Sequence, residues 1–102
     1  MDGGGRPGVN APLLNQVIHA PTRLQICAYL EPLAEAEFVV LRDYLEVSDS
    51  VLSKQIKILE EAGYIRLDKR TENGRQRTWV ALTKEGYKAF QNYLKELKKI
   101  VG

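Results

Sequence analysis

Four basic side chains surround a short turn in the second half of the chain. Lys69 and Arg70 precede the dipeptide Asn73-Gly74, and Arg75 and Arg77 follow it. Asn-Gly favours a two-residue hairpin turn because both residues tolerate the positive φ angles that the turn needs. The turn does not require arginine, whereas guanidinium groups on a projecting hairpin can bind phosphate. The pattern indicates a basic hairpin that contacts a polyanion, and a merely solvated hairpin is the alternative.

A second polar set lies just before the hairpin, on a segment with helical spacing. Leu52, Ile56 and Leu59 fall on one side of a helix and predict its buried stripe. The other side and its flanks carry Ser50, Ser53, Lys54, Gln55 and Lys57. Such a face suits a helix that enters a DNA major groove, where hydroxyl, amide and ammonium groups reach base edges and phosphates. An ordinary solvated face explains the helix alone equally well, but the adjoining basic hairpin favours DNA.

Charge is distributed unevenly along the chain. Residues 1–62 contain 5 Lys/Arg and 9 Asp/Glu, a net charge of −4, while residues 63–102 contain 10 Lys/Arg and 4 Asp/Glu, a net charge of +6. The whole chain carries only +2, so the asymmetry, and not the total, indicates that one part faces a polyanion. A solvated basic helix near the C-terminus would explain part of this asymmetry.

Local start and stop signals predict the elements that position these residues. Residues 1–12 are rich in Gly and Pro and predict a disordered tail. Helical spacing predicts a short first helix from Leu13, Leu14, Val17 and Ile18. Pro21 is expected to open a second helix and Pro32 to end it. The expected buried residues of this second helix are Leu24, Ile26, Cys27 and Leu30.

The rest of the chain predicts three more helices. Phe38, Val39, Leu41 and Leu45 indicate a short third helix, with a strand residue or two before it. Ser48-Asp49-Ser50 predicts the start of a fourth helix, which Gly63 ends. Hairpin strands follow at 64–70 and 76–82, with Ile65 and Leu67 on the buried face. Thr83 is expected to cap a last helix that reaches about Val101.

Three segments resemble the winged helix-turn-helix transcriptional regulators, especially the small MarR and ArsR types. They are "HAPTRLQICAYL" (19–30), "SDSVLSKQIKILEEAGYI" (48–65) and "GRQRTWVALTKEG" (74–86). The resemblance implies a mainly α fold with a β-hairpin wing (α+β), in which residues 13–82 bind DNA and residues 83–102 form a long dimerisation helix. It also implies a cytoplasmic homodimer that binds double-stranded DNA and often represses transcription. Carried over by position, the recognition contacts are Ser50, Ser53, Lys54 and Lys57, with Gln55 a weaker candidate, and the wing contacts are Arg70, Arg75 and Arg77.

The last helix carries an apolar seam that predicts a dimer. Its members recur at alternating spacings of three and four: Tyr87, Phe90, Leu94, Leu97 and Val101. We expect this helix to pack against its counterpart and against the partner's first helix through Leu13, Leu14, Val17 and Ile18. The alternative is a helix that folds back on its own domain. A two-fold dimer would present two recognition helices about 34 Å apart to a pseudo-palindromic site.

The sequence argues against other classes of function. One cysteine, Cys27, and one histidine, His19, form no metal cluster, so neither a metal nor another cofactor is expected. We interpret Cys27 as a small buried hydrophobe and not as a redox sensor. No nucleophile–base pair or phosphate loop indicates an enzyme, and no apolar run is long enough to span a membrane. A winged-helix module for protein–protein contact is the alternative function. The sequence identifies no small-molecule effector, although it is compatible with one.

Overall fold

The computed structural model describes residues 13–102, so the tail predicted for residues 1–12 lies outside them. The elements are α1 (Pro21–Leu30), β1 (Ala36–Glu37), α2 (Phe38–Leu45), α3 (Asp49–Glu61), β2 (Ile65–Glu72), β3 (Arg75–Leu82) and α4 (Lys84–Val101). The strands form one antiparallel sheet in the order β1-β3-β2. This is the predicted α+β winged helix architecture, and the fold class is confirmed. No helix in the described part of the chain combines the length and apolar character needed to cross a bilayer.

The chain before α1 differs from the prediction. Residues 13–20 contain a single turn instead of a helix, and the Asn15 side chain accepts hydrogen bonds from the N–H groups of Val17 and Ile18. Such side-chain bonds offer the backbone an alternative to the helix. Ala20 is extended, with ψ 138°, because a proline disfavours the helical conformation of the residue before it. The predicted first helix is therefore wrong.

Capping residues set the starts of α3 and α4 as predicted. The Ser48 hydroxyl accepts a hydrogen bond from the Val51 N–H at 3.1 Å, and the Thr83 hydroxyl accepts one from the Gly86 N–H at 2.9 Å. Each bond satisfies a backbone donor that the first helical turn leaves without a partner. After α3, Gly63 adopts a φ of 82°, which ends the helix in the left-handed conformation.

The core lies where α1, α2, α3, α4 and the base of the sheet meet. α3 contributes the predicted stripe Leu52, Ile56 and Leu59. The other large members are Ile18, Ile26, Leu30, Leu41, Ile65, Val80, Phe90 and Tyr93, together with Cys27. Leu24, which was predicted to be buried, is only partly covered. α3 is therefore held from behind by apolar packing, and its polar side is left for other contacts.

α4 crosses the start of β2 at close range. A Cβ added to Gly86 would lie 2.0 Å from the Tyr64 carbonyl oxygen, so only glycine fits in this position. The Thr83 N–H donates to the same carbonyl oxygen at 2.9 Å, and the Thr83 hydroxyl donates to the Gly63 carbonyl at 2.6 Å. This junction fixes the base of the hairpin to the start of α4.

The hairpin has the predicted two-residue turn. Asn73 and Gly74 have φ angles of 53° and 76°, and Glu72 pairs directly with Arg75. The strands are longer than predicted and extend beyond the helices. For this reason Leu67, which was predicted to be buried, is 37% exposed.

Candidate nucleic-acid interface

α2 and α3 form a helix-turn-helix. The turn between them begins at Glu46, whose φ of 57° places it in the left-handed region. Arg42 of α2 donates a hydrogen bond to the carboxylate of Asp49, the first residue of α3, at 2.7 Å. The turn and the ion pair both connect the end of α2 to the start of α3.

The polar face of α3 is open in the part of the chain that the structure describes. Ser50, Ser53, Lys54 and Lys57 are all exposed. The first turn of the helix adds backbone N–H groups and the positive end of the helix dipole, both of which favour an anion. The placement of these residues agrees with the face that the sequence indicated.

Gln55 has a different position from the other predicted α3 contacts. It is half-buried, and its side-chain oxygen accepts a hydrogen bond of 2.7 Å from Arg23 of α1. Arg23 also donates to the Val17 carbonyl. Gln55 therefore connects α3 to α1 and to the segment before it, and one of the two acceptor sites of its oxygen is already occupied.

A groove runs between α3 and the hairpin. Its volume is about 430 Å³, and it is lined by Phe38, Ser53, Ile56, Lys57, Glu60, Leu67, Lys69 and Thr78. Lys57 lies on the α3 side of this groove and Lys69 on the hairpin side. Two lysines and two hydroxyl residues therefore line one open channel together with one carboxylate, Glu60, and the lysines and hydroxyls are of the types that bind phosphate and base edges.

The pairing register divides the hairpin into two faces. Because side chains alternate along a strand, Leu67 and Lys69 share a face with their partners Val80 and Thr78. We call the set Leu67, Lys69, Thr71, Gln76, Thr78 and Val80 the groove face. Thr71, Gln76 and Thr78 were missed in the sequence analysis. They could have been predicted from the two-residue turn. It makes Glu72 pair with Arg75, which fixes the register of the two strands and so the face on which each side chain lies.

The opposite side of the hairpin is an ion-paired surface. We call Asp68, Arg70, Glu72, Arg75, Arg77 and Trp79 the carboxylate face, because acidic residues of this surface and of the β1 segment (residues 35–37) bind Arg70 and Arg77. Arg70 donates through both terminal nitrogens to Glu35, each at 2.7 Å, and through Nε to Asp68 at 2.8 Å. Its guanidinium group also lies 5.3 Å from the centre of the Trp79 ring.

Arg77 is bound by carboxylates through fewer contacts, and its buried Nε has no hydrogen-bond partner within residues 13–102. Its Nη1 donates to Glu37 at 3.1 Å, and its Nε lies 3.6 Å from a Glu72 oxygen. Within residues 13–102, Arg75 and Lys69 take part in no ion pair of the hairpin, and both are exposed. Of the four basic residues predicted to contact phosphate, two therefore have no ion pair among residues 13–102 and two are held by carboxylates.

The ion pair between Arg70 and Glu35 changes the acidity of both groups. Hydrogen bonds from Arg70 lower the pKa of the Glu35 carboxyl from its ordinary value of 4.5. Hydrogen bonds to Glu35, and then to Asp68, raise the pKa of Arg70. Each group therefore favours the charged form of the other.

The predicted dimer residues fall into an exposed, a buried and a partly buried set. Tyr87, Leu94 and Val101 are 47%, 40% and 75% exposed, and Leu13 is also exposed. Phe90 and Ile18 are buried in the core of the same chain. Leu14, Val17 and Leu97 are partly buried against that core. Phe90 and Ile18 thus support α4 from behind, and the exposed set is left as an apolar strip.

Cys27 and His19 occupy positions unlike a metal site. Cys27 is buried, and desolvation raises the pKa of its thiol to about 11, against a smaller opposing effect of Arg23. His19 Nδ1 lies 2.8 Å from the Tyr93 hydroxyl. Within residues 13–102, no three His, Cys, Asp or Glu side chains are grouped so as to hold a metal ion.

Comparisons with known proteins agree with this geometry. The chain is 32% identical over 85 residues to an uncharacterised protein of Methanocaldococcus jannaschii, which covers 83% of this chain and 92% of that protein. A transcriptional regulator homologue from Pyrococcus horikoshii superposes with a TM-score of 0.81 at 28% identity, covering 85% of this chain and 86% of that one. YusO of Bacillus subtilis superposes with a TM-score of 0.73 at 23% identity, over 84% of this chain and 60% of that one, which shows the fold alone.

The family assignment rests on nearly the whole described chain. Residues 22–101 match the family described as winged helix DNA-binding domain. This range includes both helices of the helix-turn-helix, the hairpin and α4. The chain therefore belongs to the winged helix DNA-binding domain family and is a DNA-binding regulator.

Proposed function

We propose that the protein is a sequence-specific transcriptional regulator that binds a pseudo-palindromic DNA site as a homodimer and represses transcription. In this proposal residues 13–82 bind DNA and residues 83–102 pair the two copies. The observation that carries it is the shared groove, in which Ser53 and Lys57 of α3 face Lys69 and Thr78 of the hairpin.

The mechanism follows from the chemistry of this groove. The N-terminal half of α3 enters the major groove, where Ser50, Ser53 and Lys54 reach base edges or phosphates. Lys57 and Lys69 bind the phosphate backbone that runs between α3 and the hairpin. Arg75, next to the turn, contacts the neighbouring backbone or the minor groove, whose negative potential attracts arginine. Repression is the expected mode, because a bound dimer excludes other proteins from its site.

Pairing of two copies is supported by the exposed apolar strip on α4. Tyr87, Leu94 and Val101 lie at intervals of seven residues and are exposed together. Such strips on small proteins usually mark contact surfaces. In light scattering we expect a dimer at micromolar concentration, and Leu94→Asp should give a monomer. A parent protein that is monomeric at that concentration would contradict this part of the proposal.

DNA titrations test the central claim. A mixed-sequence duplex should bind at about 50 mM salt and be released steeply as salt rises, because each neutralised phosphate frees a counterion. Lys57→Ala should weaken binding, and Lys88→Ala on the exposed side of α4 is the matched control. Selection from a random DNA pool should then return a symmetric site. If no sequence is enriched, the sequence-specific part of the proposal fails.

One observation favours the alternative, a module for protein–protein contact. Arg70 and Arg77 are neutralised by carboxylates, which lowers the charge that the hairpin offers to DNA. Absence of DNA binding at about 50 mM salt would support this alternative over the regulator.

A further inference from the structure

We propose that Glu35 and Glu37 weaken DNA binding: their carboxylates hold Arg70 and Arg77 away from phosphate and so lower the affinity for DNA of any sequence. The inference rests on the proposed function, because it assumes that the hairpin enters the DNA minor groove, where phosphates lie beside both of its faces. It assigns a role to acidic residues that lie outside both α3 and the hairpin.

The geometry of the Arg70 pair is the first support. All three nitrogen types of the guanidinium group are engaged, Nη1 and Nη2 by Glu35 and Nε by Asp68. Arginine binds a carboxylate and a phosphate with the same bidentate geometry. Glu35 therefore occupies the donors that a DNA phosphate would use, and the two ligands compete for one group.

The pairing register is the second support. Arg70 and Arg77 are direct cross-strand partners, and like charges in this position repel each other. Glu35 and Glu37 flank Ala36, which pairs with Val80 of β3. The β1 segment thus brings one carboxylate to each arginine. These carboxylates offset the repulsion between Arg70 and Arg77 that the hairpin alone would have.

The partial exposure of the ion pair is the third support, because it allows a phosphate to replace the carboxylate. The side chains of Arg70 and Glu35 are 36% and 29% exposed. Ion pairs in contact with water contribute little net stability. A phosphate can therefore replace the carboxylate without a large loss, but the carboxylate must first be displaced, and each arginine adds less to DNA affinity than a free one would.

The decisive variant is Glu35→Gln, which keeps the shape of the side chain and removes its charge. Its affinity for a mixed-sequence 24-base-pair duplex should rise by about threefold to tenfold at about 0.1 M salt, and the salt dependence should steepen by about one counterion. Glu96→Gln is the matched control. It changes the net charge equally and releases Lys99 from an ion pair, but on α4, and should leave the salt dependence unchanged.

Further variants show whether the gain in DNA affinity depends on the arginines. Arg70→Ala alone should leave affinity within about twofold, and Arg70→Ala with Glu35→Gln should abolish the gain, as expected for groups that act through one another. Glu37→Gln should repeat the effect through Arg77. It also provides a second route if Glu35→Gln lowers the melting temperature.

The outcomes separate the two proposals. If the parent binds with a steep salt dependence and neither Glu35→Gln nor Glu37→Gln binds more tightly, the inference fails and the proposed function stands. Weaker binding by both variants would assign the carboxylates a bracing role in the hairpin, and would also overturn the inference. If neither the parent nor the variants bind the duplex at about 50 mM salt, both proposals fail.

Discussion

The groove face and the carboxylate face belong to one hairpin, yet their basic side chains have different surroundings. Lys69 and Arg70 are adjacent in sequence. Lys69 lines the channel beside α3, whereas Arg70 is bound to Glu35 and Asp68 on the other side. The alternation of side chains along a strand separates them. The number of basic residues in a hairpin therefore overstates the charge that it offers to DNA, and the strand register decides which of them are available.

Both faces depend on the junction where α4 crosses β2, so the largest effect is expected there. Gly86→Ala should lower the free energy of unfolding by about 3 kcal/mol, because a methyl group would overlap the Tyr64 carbonyl oxygen. Thermal unfolding followed by circular dichroism measures the loss. Gly63→Ala is the control: there the added Cβ meets no atom within 4 Å, and only the left-handed φ costs about 1–2 kcal/mol. Equal stability of Gly86→Ala and the parent would contradict the close packing.

The comparison between the two faces is tested most directly by two neighbouring substitutions. Lys69→Ala should weaken binding to a mixed-sequence duplex by about fivefold to tenfold at about 0.1 M salt, because one phosphate contact is lost. Arg70→Ala should change the affinity by less than about twofold, since its donors are already engaged. Fluorescence anisotropy measures both. Equal losses from the two substitutions would show that the faces do not differ toward DNA.

The turn that joins the faces should give a smaller effect on stability. Asn73→Ala should cost about 1 kcal/mol, because alanine tolerates a φ of 53° less well than asparagine. Chemical denaturation measures the change, and Asn92→Ala on the exposed part of α4 is the control at a helical site. A stability equal to that of the parent would mean that the turn relaxes to another geometry.

The smallest expected effect concerns acid stability on the carboxylate face. Because the pKa of Glu35 is lower in the folded state than its ordinary value of 4.5, its charge stabilises the fold above that pH. This stabilisation disappears as the pH falls through the lowered pKa. Glu35→Gln should thus be less stable than the parent at neutral pH and equal to it in strong acid. Denaturation curves across this range measure the difference, and a gap that persists in strong acid would exclude the ion pair as its cause.

Most of the fold could be predicted because local chemistry sets the element boundaries. Pro21, Ser48, Gly63 and Thr83 act on their own neighbours, and each lies at the predicted boundary. The segment before α1 was mispredicted because the prediction relied on the spacing of its apolar residues. The side chain of Asn15 caps a turn there, and no helix forms.

The candidate site was less predictable, because it depends on distant parts of the chain. The outward face of α3 follows from helical periodicity alone. The partners of Arg70 and Gln55 do not: Glu35 is 35 residues away from Arg70, and Arg23 is 32 residues away from Gln55. No short window of sequence contains both members of such a pair. Only the packing of β1 against β3, and of α1 against α3, brings them together.

Burial of Cys27 has a practical consequence for work on this protein. It is the single cysteine of the chain, and its thiol stays protonated near neutral pH because burial raises its pKa to about 11. Alkylating dyes react with the thiolate, so we expect them not to label Cys27 in the folded protein. A cysteine introduced at Gln76 or at Arg75 would then carry the only fluorophore, and the two labels would report the approach of DNA to each face of the hairpin separately.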